Sequence, residues 1–126
     1  MNVSRSFAIV GSLFLILGIS IGIYMGGSGD HTLAPLHAHI NLLGFTLMMI
    51  FALVYRAVPD MAAGMLASLH FWLHSIGAAV MLFMLYLLFS GSIAEDSGLM
   101  ILMPLTEIAV LLGILIFAWN LFQNFR

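Results

Sequence analysis

Two histidines, His37 and His39, stand with Asn41 at the start of a stretch from Leu36 to Arg56 that is otherwise apolar enough for a lipid bilayer. Imidazoles placed in lipid are costly unless they pair, bind a metal or face a cavity. On a helix each residue advances about 100°, so the two rings point about 200° apart. One regular helix cannot wrap both around a single ion, and two sites or two neighbouring protomers must share them. By contrast, His37, Asn41, Gly44 and Met48 fall on one helical stripe. Gly44 is expected to open room beside the His37 ring for something bulky and flat. A second pair, His70 and His74, lies one helical turn apart and shares a face with Gly77 and Met81. Such a pair can bind zinc or copper. Its plainer reading is packing and hydrogen bonding near the headgroups. Glu107 is a carboxylate inside another apolar run, which suits a proton carrier, a metal ligand or a partner for an imidazole. The plainer alternative is a neutral acid bonded to a carbonyl across the bundle. His31 falls in a glycine-rich loop and reads as solvated.

The chain that must position these groups has 126 residues, 63% of them hydrophobic and 6% charged. Mean hydropathy is +1.20. Ordinary soluble domains carry about 25% charged residues, so that class is excluded. There is no basic run, which removes nucleic acid as a partner. There is no cysteine, which removes disulfides, thiolate metal sites and thiol redox chemistry. Ten methionines invite a copper-transport reading. They do not cluster with histidine at one helix end, and read mostly as core filler.

Four membrane-crossing helices are expected, at Phe7–Met25, Pro35–Arg56, Met65–Phe89 and Leu99–Phe122, forming one all-α transmembrane domain over the whole chain, a four-helix bundle. Each is long enough for a hydrocarbon core of about 30 Å. The first run is longer than a signal-peptide core and lacks a clear cleavage site, which favours an uncleaved helix. Gly18 and Gly22 form a small-xxx-small pair that permits close helix contact. Thr32 is the expected N-cap of the second helix and Pro35 suits its first turn. Val58-Pro59-Asp60 marks a turn. Pro104 is expected to kink the fourth helix or tighten its first turn. Four crossings put Arg5, Arg56 and Arg126 on one side and the acidic loop Ser90–Gly98 on the other. The positive-inside rule then makes both termini cytoplasmic, in a bacterial-type inner membrane. Tyr55, Trp72 and Trp119 are expected near that interface as an aromatic belt.

In order, His37-Ala38-His39, Leu43-Gly44, Tyr55-Arg56-Ala57-Val58-Pro59, His70-Phe71-Trp72-Leu73 and Ile76-Gly77 resemble two consecutive helices of the catalytic subunit of haem–copper oxidases and nitric-oxide reductases, nearest the C-type oxidases. The likeness spans Leu36 to Gly91; the first and fourth helices show nothing specific. The resemblance implies haem, with the first histidine of H-x-H on a high-spin haem and the second on a low-spin haem. By position, His37 matches the first and His39 the second, while His70 matches a residue that is not a haem ligand there. The family's subunit is several times longer and needs further histidines that this chain lacks, so a single chain is not a complete oxygen reductase. Its pseudo-threefold symmetry is built from four-helix arcs, and this chain has the length of one arc. The expectation is therefore a homo-oligomer, a trimer ahead of a dimer, that binds haem b at His37 and His39 between protomers, beside Asn41 and Gly44. Its function would be electron transfer or the binding of a diatomic gas, with a redox partner the sequence does not identify. Two alternatives remain open: a copper- or non-haem-iron-handling protein using His37, His39 and Glu107 directly, and a cofactor-free assembly subunit.

Overall fold

The structure is a computed structural model, described here for residues 1–124; the expected cytoplasmic Arg126 lies outside the described residues. Four helices, each long and apolar enough to cross a membrane, make up nearly all of it: α1 (Val3–Ser28), α2 (Ala34–Ala57), α3 (Met65–Phe89) and α4 (Gly98–Asn124). Large apolar side chains such as Leu13, Ile16 and Ile23 on α1 and Leu111 and Leu115 on α4 face outward. Such faces suit lipid rather than water.

The first helix begins earlier and ends later than the hydropathy suggests. The Asn2 side chain accepts a hydrogen bond from the Arg5 amide at 3.0 Å, which caps the extra turn. Gly29, with φ 71°, closes the other end in the left-handed conformation that favours glycine. Thr32 is not the cap of α2. That position falls to Leu33, with Pro35 in the first turn. Thr32 instead donates its amide and hydroxyl to Asp30 Oδ1, at 2.9 and 2.6 Å, so the residue folds into the loop. Those bonds hold the Asp30 carboxyl below the usual carboxylate range. The stretch after α2 contains a short helical turn, Pro59–Ala63, with Pro59 starting it. Pro104 behaves as expected: a tight 3₁₀ turn at Gly98–Ile101 precedes the regular helix that begins at Leu102.

The α2 helix is regular from Ala34 to His39 and from Leu47 to Ala57, with a π-helical stretch, Ile40–Thr46, between them. A π segment carries an extra residue in the turn and weakens the local carbonyl ladder. Two side chains collect carbonyls there. Thr46 Oγ1 donates to the Asn41 carbonyl at 2.8 Å, and the His74 ring reaches the Leu43 carbonyl at 3.2 Å.

The helices do not form a square bundle. α1 pairs with α2, α4 packs along α3, and α3 also touches both members of the first pair. The α3 span is accordingly 50% buried, against 17% for α1 and for α4. Small residues set the contacts. A Cβ placed on Gly77 would meet Val110 Cγ2 at 2.9 Å, and one on Gly11 would meet Met48 Cβ at 3.2 Å. Both described termini lie at one end. There Ser4 Oγ donates to the Ala52 carbonyl at 2.8 Å, and Asn120 Nδ2 to the Met61 carbonyl at 2.9 Å. Arg5 and Arg56 share that end, lining one surface cleft.

Candidate functional site

The stripe on α2 faces α1. The His37 ring bonds through Nδ1 to the Gly18 carbonyl at 2.9 Å. A carbonyl only accepts, so Nδ1 carries the proton and Nε2 keeps its lone pair. Asn41 donates to the carbonyl of His37 at 2.9 Å, and its amide nitrogen lies 3.3 Å from each ring nitrogen. The room for this polar pair comes from the glycines opposite. A Cβ on Gly18 would collide with the Asn41 carboxamide, and one on Gly22 would lie 3.0 Å from His37 Cε1. The small-xxx-small spacing on α1 is thus a seat for His37 and Asn41.

His39 points the other way, as the helical geometry demands. It is exposed, and its Nδ1 lies 2.8 Å from the Pro35 carbonyl in its own helix. The same reasoning gives His39 the same tautomer, with Nε2 bare and turned away from the helix axis. The opening expected over Gly44 is filled in this chain: a Cβ there would lie 2.6 Å from Phe14 Cγ. The ring of Phe14 occupies the space that a flat ligand would need.

His70 and His74 form a separate site near the end that holds the termini. Both rings have no exposed surface. His70 Nδ1 is 3.0 Å from the Tyr55 hydroxyl, and His74 Nε2 is 3.2 Å from the Leu43 carbonyl. The His74 bond fixes its proton on Nε2. Phe7, Phe51 and Phe117 pack around the pair, with ring centroids 4.9, 4.5 and 5.2 Å from that of His70. Gly113 lets α4 approach, since a Cβ there would lie 3.4 Å from His70 Cδ2. Among the described residues, His70 Nε2 and His74 Nδ1 have no hydrogen-bond partner, and the two ring centroids are 5.8 Å apart.

Tyr55 corrects the expected aromatic belt. It is 1% exposed and stacked on Phe7, with centroids 6.0 Å apart. Trp72 and Trp119 do stand on the outside. Sequence reasoning missed Tyr55 as a polar partner, although it sits fifteen positions before His70, across the turn that joins α2 to α3.

Glu107 lies exposed on α4, which packs on α3. His37 faces α1 and His39 faces away from it. A direct copper or iron site built from these three residues is therefore not assembled within one chain. Among the described residues, no group of three or more His, Cys, Asp or Glu gathers to hold a metal. The chain matches no family model, no curated protein and no solved structure.

Proposed function

We propose that this protein is a haem b-binding membrane protein that transfers electrons, with the iron held by the H-x-H motif at a boundary between protomers. One observation carries the reading. In both His37 and His39, Nδ1–H is tied to a backbone carbonyl, which leaves each Nε2 as the acceptor: that of His37 meets the Asn41 amide at 3.3 Å, and that of His39 has no partner among the described residues and is open as a ligand. Metal-binding histidines almost always donate their other ring N–H in this way, because the bond fixes the tautomer and raises ligand basicity. His39 extends this from an exposed flank, where a lone imidazole in lipid needs a partner. The filled space over Gly44 excludes a macrocycle within the α1–α2 seam of a single chain, so the fit is to the outer flank and a second protomer. The resemblance to haem–copper oxidases supports the same assignment, and a four-helix arc suits closure into a trimer, with a dimer as the competing assembly.

A haem with two imidazole ligands would supply one-electron transfer; one with an open position would bind a diatomic gas. The chain's own contribution is orientation. Gly18 and Pro35 set the two rings, and Asn41 braces the His37 backbone. Arg5 and Arg56 at the end with the termini make that end cytoplasmic under the positive-inside rule, in a bacterial-type inner membrane. His37 and His39 then lie near the opposite, outer face.

The test is the reduced-minus-oxidised spectrum of detergent-purified protein, with haem counted per chain. Split low-spin bands that disappear in His39→Ala, and shift or disappear in His37→Ala, are expected. A spectrum without those bands, or bands left unchanged by loss of His37 or of His39, overturns the reading. The second reading, a cofactor-free assembly subunit, is favoured by the degree to which His37 and Asn41 are already satisfied against α1. A partner complex that stays active when both histidines are alanine would select it.

A further inference from the structure

A second recognition surface lies on the opposite seam, between α1 and α3. Three cavities follow one another along it. At the loop end is a cleft of about 620 Å³ lined by Ser20, Tyr24, Asp30, Thr32, Tyr86 and Ser90 among others. It shares Ile21, Leu33 and Tyr86 with an apolar groove of about 400 Å³. That groove shares Phe14, Leu17 and Ala79 with a third space of about 230 Å³, which ends against Ser75. The Ser75 hydroxyl is buried, 7% exposed as a residue, and has no hydrogen-bond partner. From Tyr86 to Ser75 the helix rises roughly 16 Å at about 1.5 Å per residue, so the seam has a polar mouth and a long apolar gallery.

We propose that this seam binds a quinone-type amphiphile, with the ring in the mouth and one isoprenoid chain along the gallery. The chemistry of the mouth selects the head. Its lining has the Asp30 carboxylate and no cation. Arg5 and Arg56 are at the far end of the molecule, lining a different cleft. The lining holds no Lys or Arg to pair an anionic phosphate head, and His31 beside it acts on the Asp30 carboxylate, whereas a neutral ring bearing hydroxyl or carbonyl groups finds both an acceptor and donors. Asp30 is held as an acceptor by its two bonds from Thr32. Tyr24 and Tyr86 supply hydroxyl groups, and with Phe89 they offer aromatic surface to a flat ring. The gallery is lined by apolar side chains of α1, α2 and α3, such as Leu17, Ile40 and Leu82, which suits an isoprenoid chain. Spaces of this size fall in the usual range for small-molecule sites, about 300–1,000 Å³. The cleft and gallery by themselves support a neutral-headed amphiphile. The choice of a redox-active ring over another neutral head rests on the electron-transfer reading above.

The experiment separates head from tail, and both from haem. Purified protein in nanodiscs is photolabelled with an azido-quinone, and labelled peptides are mapped. Two competitors are used: a quinone with a single isoprene unit and the same ring with a full-length isoprenoid tail. Label is expected on the peptides holding Tyr24 and Tyr86, whether or not haem is present. Ala79→Phe, which blocks the gallery, is expected to weaken the long-tailed competitor about tenfold and to leave the short one unchanged. Tyr86→Leu should weaken both, and Asp30→Asn should weaken the quinol form most. Label spread evenly over lipid-facing peptides overturns the proposal. So does equal response of both competitors to Ala79→Phe, or displacement by phosphatidylethanolamine as effective as by quinone. Labelling at the mouth in a preparation that carries no haem supports this proposal independently of the haem reading, which its own spectrum tests.

Discussion

The bond between Tyr55 and His70 gives the sharpest test of how this bundle is held together. Both groups are buried, at 1% and 0% exposure, and the hydroxyl lies 3.0 Å from Nδ1. His70 Nε2 already lacks a partner. Tyr55→Phe therefore leaves the ring with neither nitrogen bonded, while keeping the stacking on Phe7. An unpaired buried group costs about 1–3 kcal/mol in water-soluble proteins. Interhelical bonds in membranes average about 0.6 kcal/mol and reach about 1.7, because the helices find other partners in the unfolded state. Full burial on both sides puts this bond near the upper end, so a loss of about 1.5 kcal/mol is expected, roughly tenfold in the folding equilibrium. Replacing both partners should be milder than the sum of the single changes, since no orphan remains. The assay is unfolding by SDS in mixed micelles, read by circular dichroism, on the wild type, Tyr55→Phe, His70→Leu and the double variant. Strictly additive losses, or no loss in Tyr55→Phe, would refute the claim that this pair acts as a bonded unit.

His74→Phe should cost at least as much as Tyr55→Phe, because it strips a donor from the Leu43 carbonyl within the π segment; hydrogen exchange of amides from Ile40 to Thr46 should rise in that variant and stay unchanged in a distant control such as Leu111→Ala. Gly18→Leu and Gly22→Leu should each separate α1 from α2, since a Cβ at either position already meets Asn41 or His37; a disulfide trap across this seam, with Gly11→Cys and Met48→Cys, whose Cβ atoms would lie about as close as a disulfide needs, should form readily in the wild-type background and about tenfold more slowly in either leucine variant. The Asp30 carboxyl has a folded pKa below its ordinary 3.8, so its contribution to the Asp30–Thr32 turn is fully present above about pH 4 and is lost as pH falls through the lower folded value. The protection of the Thr32 amide, relative to the free-peptide exchange rate at each pH, should fall only in that acid range, and Asp30→Asn should flatten the dependence.

The helical content and the four helices long and apolar enough to cross a membrane were legible because hydropathy and length dictate them. The opposed directions of His37 and His39 were legible too, because both lie in the regular part of α2, where about 100° per residue holds. What lay beyond reach was whatever depends on the partner helix. Gly44 looked like an opening, since a missing side chain is all the sequence shows; that Phe14 enters it is a property of α1. Gly18 and Gly22 carried only a weak spacing signal, although they face the two polar groups that matter most. Tyr55 looked interfacial because it lies near a helix end, and only the fold of the short turn at Pro59–Ala63 brings His70 beneath it. The π segment itself has no signature in its apolar residues.

These particulars share one physical cause. In lipid, a polar group must find its partner inside the protein, so each buried polar residue commits the fold to a neighbour. His37 commits α2 to α1 through Gly18. His74 commits α3 to α2 through Leu43. Tyr55 and His70 tie the start of α3 to the end of α2, and Asn120 ties α4 to the Met61 carbonyl. Each of those residues has at least one bond to another element of the chain, although His70 Nε2 and His74 Nδ1 stay unpartnered among the described residues. His39 has no such bond: its only bond is to its own helix, and it stands exposed. The rule that bonds the other five polar residues therefore singles out His39 as the one of the six whose ring is bonded only to its own helix.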